Sequence, residues 1–175
     1  MDTVFTSDRV PVIWHDHSIQ ADKCRGKYVG KFIAELTLEQ VKTLDCSVPL
    51  ANHPQQVVHT PTRIATLVEV LELIQCYDDP DVRINLETKL DPTAPHETLP
   101  METYVTDLLP LLGKHGFLGR TTIQSFDWRT LVAIRDRYPQ HPDLVALVEA
   151  KSLVPDAQGA YPWLGGLNLA HYGGD

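Results

Sequence analysis

The stretch Val82-Arg83-Ile84-Asn85-Leu86-Glu87-Thr88-Lys89 decides the fold. Its apolar residues Val82, Ile84 and Leu86 alternate with polar ones, the period of a strand with one buried face. Segments of a different period bracket it. Upstream, Leu67, Val70, Leu71 and Ile74 recur at helical spacing behind Thr66 as N-cap, and Asp78-Asp79-Pro80-Asp81 stops that helix. Downstream, Met101 to His115 carries Tyr104, Val105, Leu108, Leu111 and Leu112 on one side, with Pro110 placed to kink its second half and Gly116 as its cap. A strand between two helices is the unit from which parallel sheets are built.

The same alternation of elements extends in both directions. Thr121 to Phe126 reads as a strand, Asp127 caps a helix that runs to Tyr138 before Pro139, and Leu144 to Val148 reads as the next strand. One more short strand is expected near Leu167-Asn168-Leu169. Towards the N-terminus, Thr3-Val4-Phe5-Thr6 and Val10 to Trp14 flank the turn Ser7-Asp8-Arg9 and form a hairpin. From His15 to about Phe32 the chain is polar, a long excursion of the kind that often carries function. Thr37 and Gln40 mark the capping box of a short helix, and Ser47 to Thr62 is a loop. The order fits an α/β barrel or an open doubly wound sheet. In both, chemistry sits at the C-terminal ends of the strands. That rule directs attention to His15-Asp16, Glu87-Thr88-Lys89 and Ser125-Phe126-Asp127.

Composition narrows the partners. The formal charge of −8 repels a nucleic-acid backbone, so nucleic acid is excluded as a partner, whereas a small phosphate ester can still bind where a metal or a lysine reverses the local field. No apolar run is long enough to span a bilayer. Met1 to Phe5 has neither the basic start nor the apolar core of a signal peptide, and the compartment is left open. Cys24, Cys46 and Cys76 lack the CxxC spacing of a zinc site. Cys24 and Cys46 flank one polar segment and would pair in an oxidising compartment. Three idle thiols is the plainer expectation.

Glu87 and Lys89 lie two apart on a strand and point to one face, where a carboxylate can hold a hard cation and a lysine can neutralise a phosphate oxygen. By spacing alone, a surface ion pair explains them as well. His15 follows an apolar strand and suits general acid–base chemistry. Adjacent strand residues face opposite sides, so Asp16 is not expected to partner it. His17, His53, His59, His96, His115, His141 and His171 are read as polar residues without a catalytic part. Asp2 is unremarkable by itself. Ser125 lacks the Gly-x-Ser-x-Gly elbow of a nucleophile.

Taken in order, four segments resemble the glycerophosphodiester phosphodiesterase family. They are Asp2-x3-Thr6-x-Asp8-x2-Pro11-Val12-x2-His15-Asp16, then Thr62-x3-Thr66-Leu67-x-Glu69-Val70-Leu71, then Asn85-Leu86-Glu87-Thr88-Lys89, then Gln124-Ser125-Phe126. The resemblance implies a (β/α)8 barrel of the phospholipase-C-like phosphodiesterase type. It also implies hydrolysis of glycerophosphodiesters, such as glycerophosphocholine, to sn-glycerol 3-phosphate and an alcohol, with a divalent cation, Ca or Mg. By position it implies that Asp2 and Glu87 are metal carboxylates, His15 is a catalytic histidine, and Lys89 lies beside the phosphate. The family's His-Arg-Gly motif, which supplies another catalytic histidine, has no counterpart here, and a further metal carboxylate would fall just before Met1. The expectation is one partial domain over residues 1–175, an incomplete barrel from about strand two to strand six, since a closed one takes about 250 residues. Its open edges would expose apolar surface and favour self-association, and its activity alone would be weak or absent. The competing expectation is a non-catalytic remnant that binds a phosphorylated ligand or a partner.

Overall fold

The computed structural model describes residues 1–173. Strands β1 (Asp2–Phe5) and β2 (Pro11–Ile13) form the hairpin. Helices α1 (Leu38–Lys42) and α2 (Leu67–Cys76) follow, then β3 (Ile84–Thr88), α3 (Met101–Lys114), β4 (Thr121–Ser125), α4 (Trp128–Arg137) and β5 (Asp143–Ala146). One sheet of order β2-β1-β3-β4-β5 contains all the strands. β1, β3, β4 and β5 run parallel, and β2 is antiparallel to β1. The sheet does not close into a barrel.

Side-chain alternation assigns each face of the sheet. Leu86 pairs with Ile123, and Ile123 with Leu144. This face meets α2, α3 and α4 in a core that includes Phe5, Leu71, Tyr104, Leu108 and Ile134. The other face carries Asn85, Thr122, Gln124 and Asp143, where the Asn85 amide donates to Gln124 Oε1 at 2.9 Å. In a closed barrel this face would be the interior. These residues are polar and tolerate water, while Val145, in register with Gln124, is exposed on the same face. The edge strands are β2, whose outer side is bridged from Val12 to Thr66, and β5.

A second core lies over β1 and β2. Val4, Val12, Ile19, Cys24, Ile33, Leu36, Val41, Leu44 and Ile64 are all buried in it. It anchors the excursion after His15, which is irregular but not loose. Arg25 and Asp45 exchange both backbone hydrogen bonds, at 2.7 and 3.0 Å. Residues 24 and 46 therefore stand face to face, and Cys24 and Cys46 are joined as a disulfide. This corrects the expectation of three idle thiols: an antiparallel bridge of residues far apart in sequence creates the pairing, and spacing alone does not reveal it. Cys76 is free and exposed.

The caps are placed as expected. Thr66 Oγ1 accepts from the Glu69 amide at 3.1 Å, and Glu69 Oε2 accepts from the Thr66 amide at 2.7 Å. Thr37 and Gln40 make the same reciprocal pair at α1. Helix α3 runs through Pro110 to Lys114. The strand expected at Leu167–Leu169 is not in the sheet. Gly165 and Gly166 both adopt positive φ, which turns the chain back on itself. Leu167 makes a lone antiparallel bridge to Tyr161, and Leu169–Tyr172 is a 3-10 turn. No helix is long and apolar enough to cross a membrane among the described residues.

Candidate active site

The C-terminal ends of the parallel strands open into a cleft of about 310 Å³, lined by His15, His17, Glu87, Lys89, Glu149 and Lys151, among others. Its size suits a small ligand. Strand β3 delivers Glu87 and, just beyond its end, Lys89 to the same face. Lys89 Nζ contacts Glu87 Oε1 at 2.8 Å, with the two side chains only 15% and 10% exposed. A largely buried ion pair at a strand's C-terminal end differs from the solvated surface pair that spacing alone allows, because desolvation makes it costly unless something uses it.

Asp2 pairs in register with Glu87 across β1 and β3. Adjacent parallel strands put such side chains on one face, so two acidic residues more than eighty positions apart share it, with Glu87 and not Asp2 lining the cleft.

His15 lies past the end of β2 and its ring lines the cleft. Its Nδ1 lies 3.1 Å from Asp16 Oδ1. The expectation that these neighbours would face apart is thereby corrected, since strand alternation no longer applies beyond Ile13. Burial pushes the Asp16 carboxyl up, but hydrogen bonds from Lys23 and His15, with their charges, outweigh it and hold Asp16 below the usual carboxylate range.

His17, read from sequence as a residue without a part, belongs to the cleft. Its side chain is 17% exposed, and Nδ1 lies 2.8 Å from Glu97 Oε2. Ser125 is fully buried, accepting from Thr88 Oγ1 at 2.9 Å and from the Asp127 amide at 3.1 Å, a role in joining β3 to β4. Asp127 caps α4, with the Arg129 guanidinium on its carboxylate.

A family model described as the glycerophosphoryl diester phosphodiesterase family matches residues 1–171. The chain belongs to that family. Solved structures agree. A Silicibacter pomeroyi protein assigned as a glycerophosphoryl diester phosphodiesterase is 28% identical with a TM-score of 0.70, over 84% of this chain and 53% of that one. An Oleispira antarctica phosphodiesterase, solved with the product sn-glycerol 3-phosphate, shares 24% identity and the fold, with a TM-score of 0.62 over 97% of this chain and 57% of that one. An Agrobacterium tumefaciens protein assigned to the same activity gives 24% and 0.65, over 87% and 52%. The chain thus spans about half the length of these structures. No curated protein matches it. The fold is the family's barrel type in incomplete form, with five strands in an open sheet.

Enzymes of the glycerophosphoryl diester phosphodiesterase family generally depend on a divalent cation. Among the described residues, no group of three or more His, Cys, Asp or Glu side chains is arranged to hold one. Asp2 and Glu87 supply two hard oxygen donors, and Lys89 already occupies one oxygen of Glu87. Ca takes six to eight oxygen ligands and Mg six. The side chains present do not by themselves fit a resident cation.

Sequence reasoning missed His17, Glu149 and Lys151, which line the cleft, and Glu97, which contacts His17 from beside it. A signal for Glu149 and Lys151 was available. Glu149-Ala150-Lys151 repeats the Glu-x-Lys spacing of Glu87-Thr88-Lys89 shortly after another parallel strand, and Lys151 Nζ contacts Glu149 Oε1 at 3.0 Å. Lys151 also lies over the Trp163 ring, 4.7 Å from its centre. For His17 and Glu97, eighty positions apart, no local pattern exists.

Proposed function

We propose that residues 1–175 are a partial phosphodiesterase domain whose cleft binds the phosphate of a glycerophosphodiester at the C-terminal ends of β3, β4 and β5. The reaction supported is hydrolysis to sn-glycerol 3-phosphate and an alcohol, within lipid metabolism. The observation that carries this reading is the buried Glu87–Lys89 pair in a cleft shared with His15. An entering phosphate competes with Glu87 for the Lys89 ammonium, which neutralises a phosphoryl oxygen. As a water oxygen bonds to phosphorus and the phosphorus–oxygen bond to the alcohol breaks, the attacking water releases a proton to solvent and the leaving oxygen takes one, which the exposed His15 is placed to give. Asp2 and Glu87 are the carboxylates that would face a divalent cation, Ca or Mg, once further donors complete its shell.

With one acid–base histidine assigned and two metal carboxylates, turnover by these residues alone is expected to be weak or absent. A missing general acid–base group costs about 10²–10⁴-fold. The two-carboxylate donor set also favours a second reading, a non-catalytic member that binds a phosphorylated ligand or, through the open sheet edge at β5, a second copy of itself. The Cys24–Cys46 disulfide fits an oxidising compartment.

The test is release of sn-glycerol 3-phosphate from glycerophosphocholine with Ca or Mg, run beside Glu87→Ala, together with calorimetric binding of sn-glycerol 3-phosphate. Metal-dependent turnover lost in Glu87→Ala supports the enzyme. Binding without turnover supports the second reading. Neither binding nor turnover from folded protein sinks both.

A further inference from the structure

We infer that the His17–Glu97 pair is the hydroxyl-recognition element of the cleft, accepting a hydrogen bond from the free hydroxyl next to the phosphoester of the ligand. The inference rests on the reading that Lys89 receives the phosphate, and it adds a residue that decides which phosphoesters are held.

The chemistry follows from the ring's partner. An ionised carboxylate only accepts hydrogen bonds, so the contact with Glu97 puts the ring hydrogen on Nδ1. In the neutral imidazole, Nε2 then carries the lone pair, and it has no hydrogen-bond partner among the described residues. His17 lines the cleft, and with Nδ1 engaged by Glu97 the ring nitrogen left to accept from a ligand is Nε2. The cations of the cleft are Lys89 and Lys151, which suit the phosphate. His17 instead stands against a carboxylate that repels phosphate, so a neutral donor is its fitting partner.

The backbone that carries the pair is also anchored on both sides. The backbone carbonyl of His17 accepts from the Ile33 amide at 2.9 Å, which ties it into the disulfide-bonded excursion. Glu97 lies on the loop between β3 and α3, where the neighbouring His96 ring meets Phe32 edge-on, 5.9 Å between centres. A side chain fixed in this way loses little freedom on meeting a ligand, and that lets a single hydrogen bond discriminate. A site built to bond a hydroxyl rejects the analogue lacking it, because a polar group is left unpaired.

The experiment compares sn-glycerol 3-phosphate with 3-hydroxypropyl phosphate, which lacks only the middle hydroxyl, by calorimetry on the full chain. The native protein is expected to favour the glycerol compound by roughly tenfold. In His17→Asn, whose amide can still donate to Glu97 but has no counterpart of Nε2, the preference falls to near unity while the propyl compound binds unchanged. Nitrogen-15 spectra give a second readout: the His17 Nε2 signal moves with the hydroxyl ligand and not with its analogue. If His17→Asn fails to fold, Glu97→Ala serves, with the preference expected to shrink. A preference that survives either folded variant, or a silent Nε2 signal when sn-glycerol 3-phosphate binds, overturns the inference. If neither ligand binds the native chain, the phosphate reading falls and takes the inference with it.

Discussion

Val4 and Phe5 are neighbours on β1, yet they belong to different cores. Phe5 points into the layer where α2, α3 and α4 cover the sheet, and its ring meets Tyr104 edge-on at 4.7 Å. Val4 points into the core of the excursion, built from short turns and one brief helix. The first core is held by continuous apolar faces on regular elements. The second is held by individual ties: the disulfide, the Arg25–Asp45 bridge, Lys42 to Glu69 at 2.5 Å, and Lys23 to Asp16. The cleft lies where the two regions meet, with Glu87 and Lys89 from the first and His15 and His17 from the second. The regular layer places charges rigidly at strand ends, whereas the excursion brings acid–base groups that depend on pairwise contacts.

The largest effect is expected at the helical layer. Phe5→Ala empties a fully buried position and should cost about 3–5 kcal/mol, read as a lower denaturant midpoint for the whole chain. A loss confined to residues 15–46 would break the contrast between the cores. Next comes Cys46→Ser, expected to cost about 2–4 kcal/mol and to act locally. Hydrogen exchange should quicken across residues 17–46 while β3 and β4 stay protected, and uniform quickening would show that the excursion is not a separate unit of stability. Thr66→Ala removes the cap of α2 and should cost about 1 kcal/mol. Because Glu69 also holds Lys42, the total loss in the Thr66→Ala, Lys42→Ala double variant should be less than the sum of the two single losses, a double-mutant cycle that measures how far the regions are coupled.

The smallest effect concerns acid. The folded Asp16 carboxyl is depressed, so its contribution is present above the unfolded value of about 3.9 and is lost as pH falls through the lower folded value. The midpoint below pH 4 should therefore fall less steeply in Asp16→Asn than in the native chain. Equal slopes would mean that the Lys23 contact does not survive in solution.

Much of the helical layer was legible in the sequence. The alternation of Ile84, Leu86 and their polar neighbours marks β3, and the spacing of Leu67 and Leu71 behind Thr66 marks α2, because each signal lies within one element. The excursion was legible only as a long polar segment. Its core residues, Ile19, Ile33 and Leu44 among them, follow no period, because no regular element sets one. The candidate site divides the same way: Glu87 and Lys89 are two apart on one strand, while His17 and Glu97 meet across eighty residues.

The sequence by itself determined the βα order, the capping boxes and, through four ordered motifs, the family. Those signals are local, written in the periodicity and end chemistry of single segments. Only the tertiary structure decided that Cys24 bonds Cys46, that His15 meets Asp16, that Asp2 stands beside Glu87, and that His17 is fixed by Glu97. Apart from His15 and Asp16, these partners lie far apart along the chain, and which distant groups meet depends on strand register and on the packing of irregular loops, neither of which a local pattern encodes.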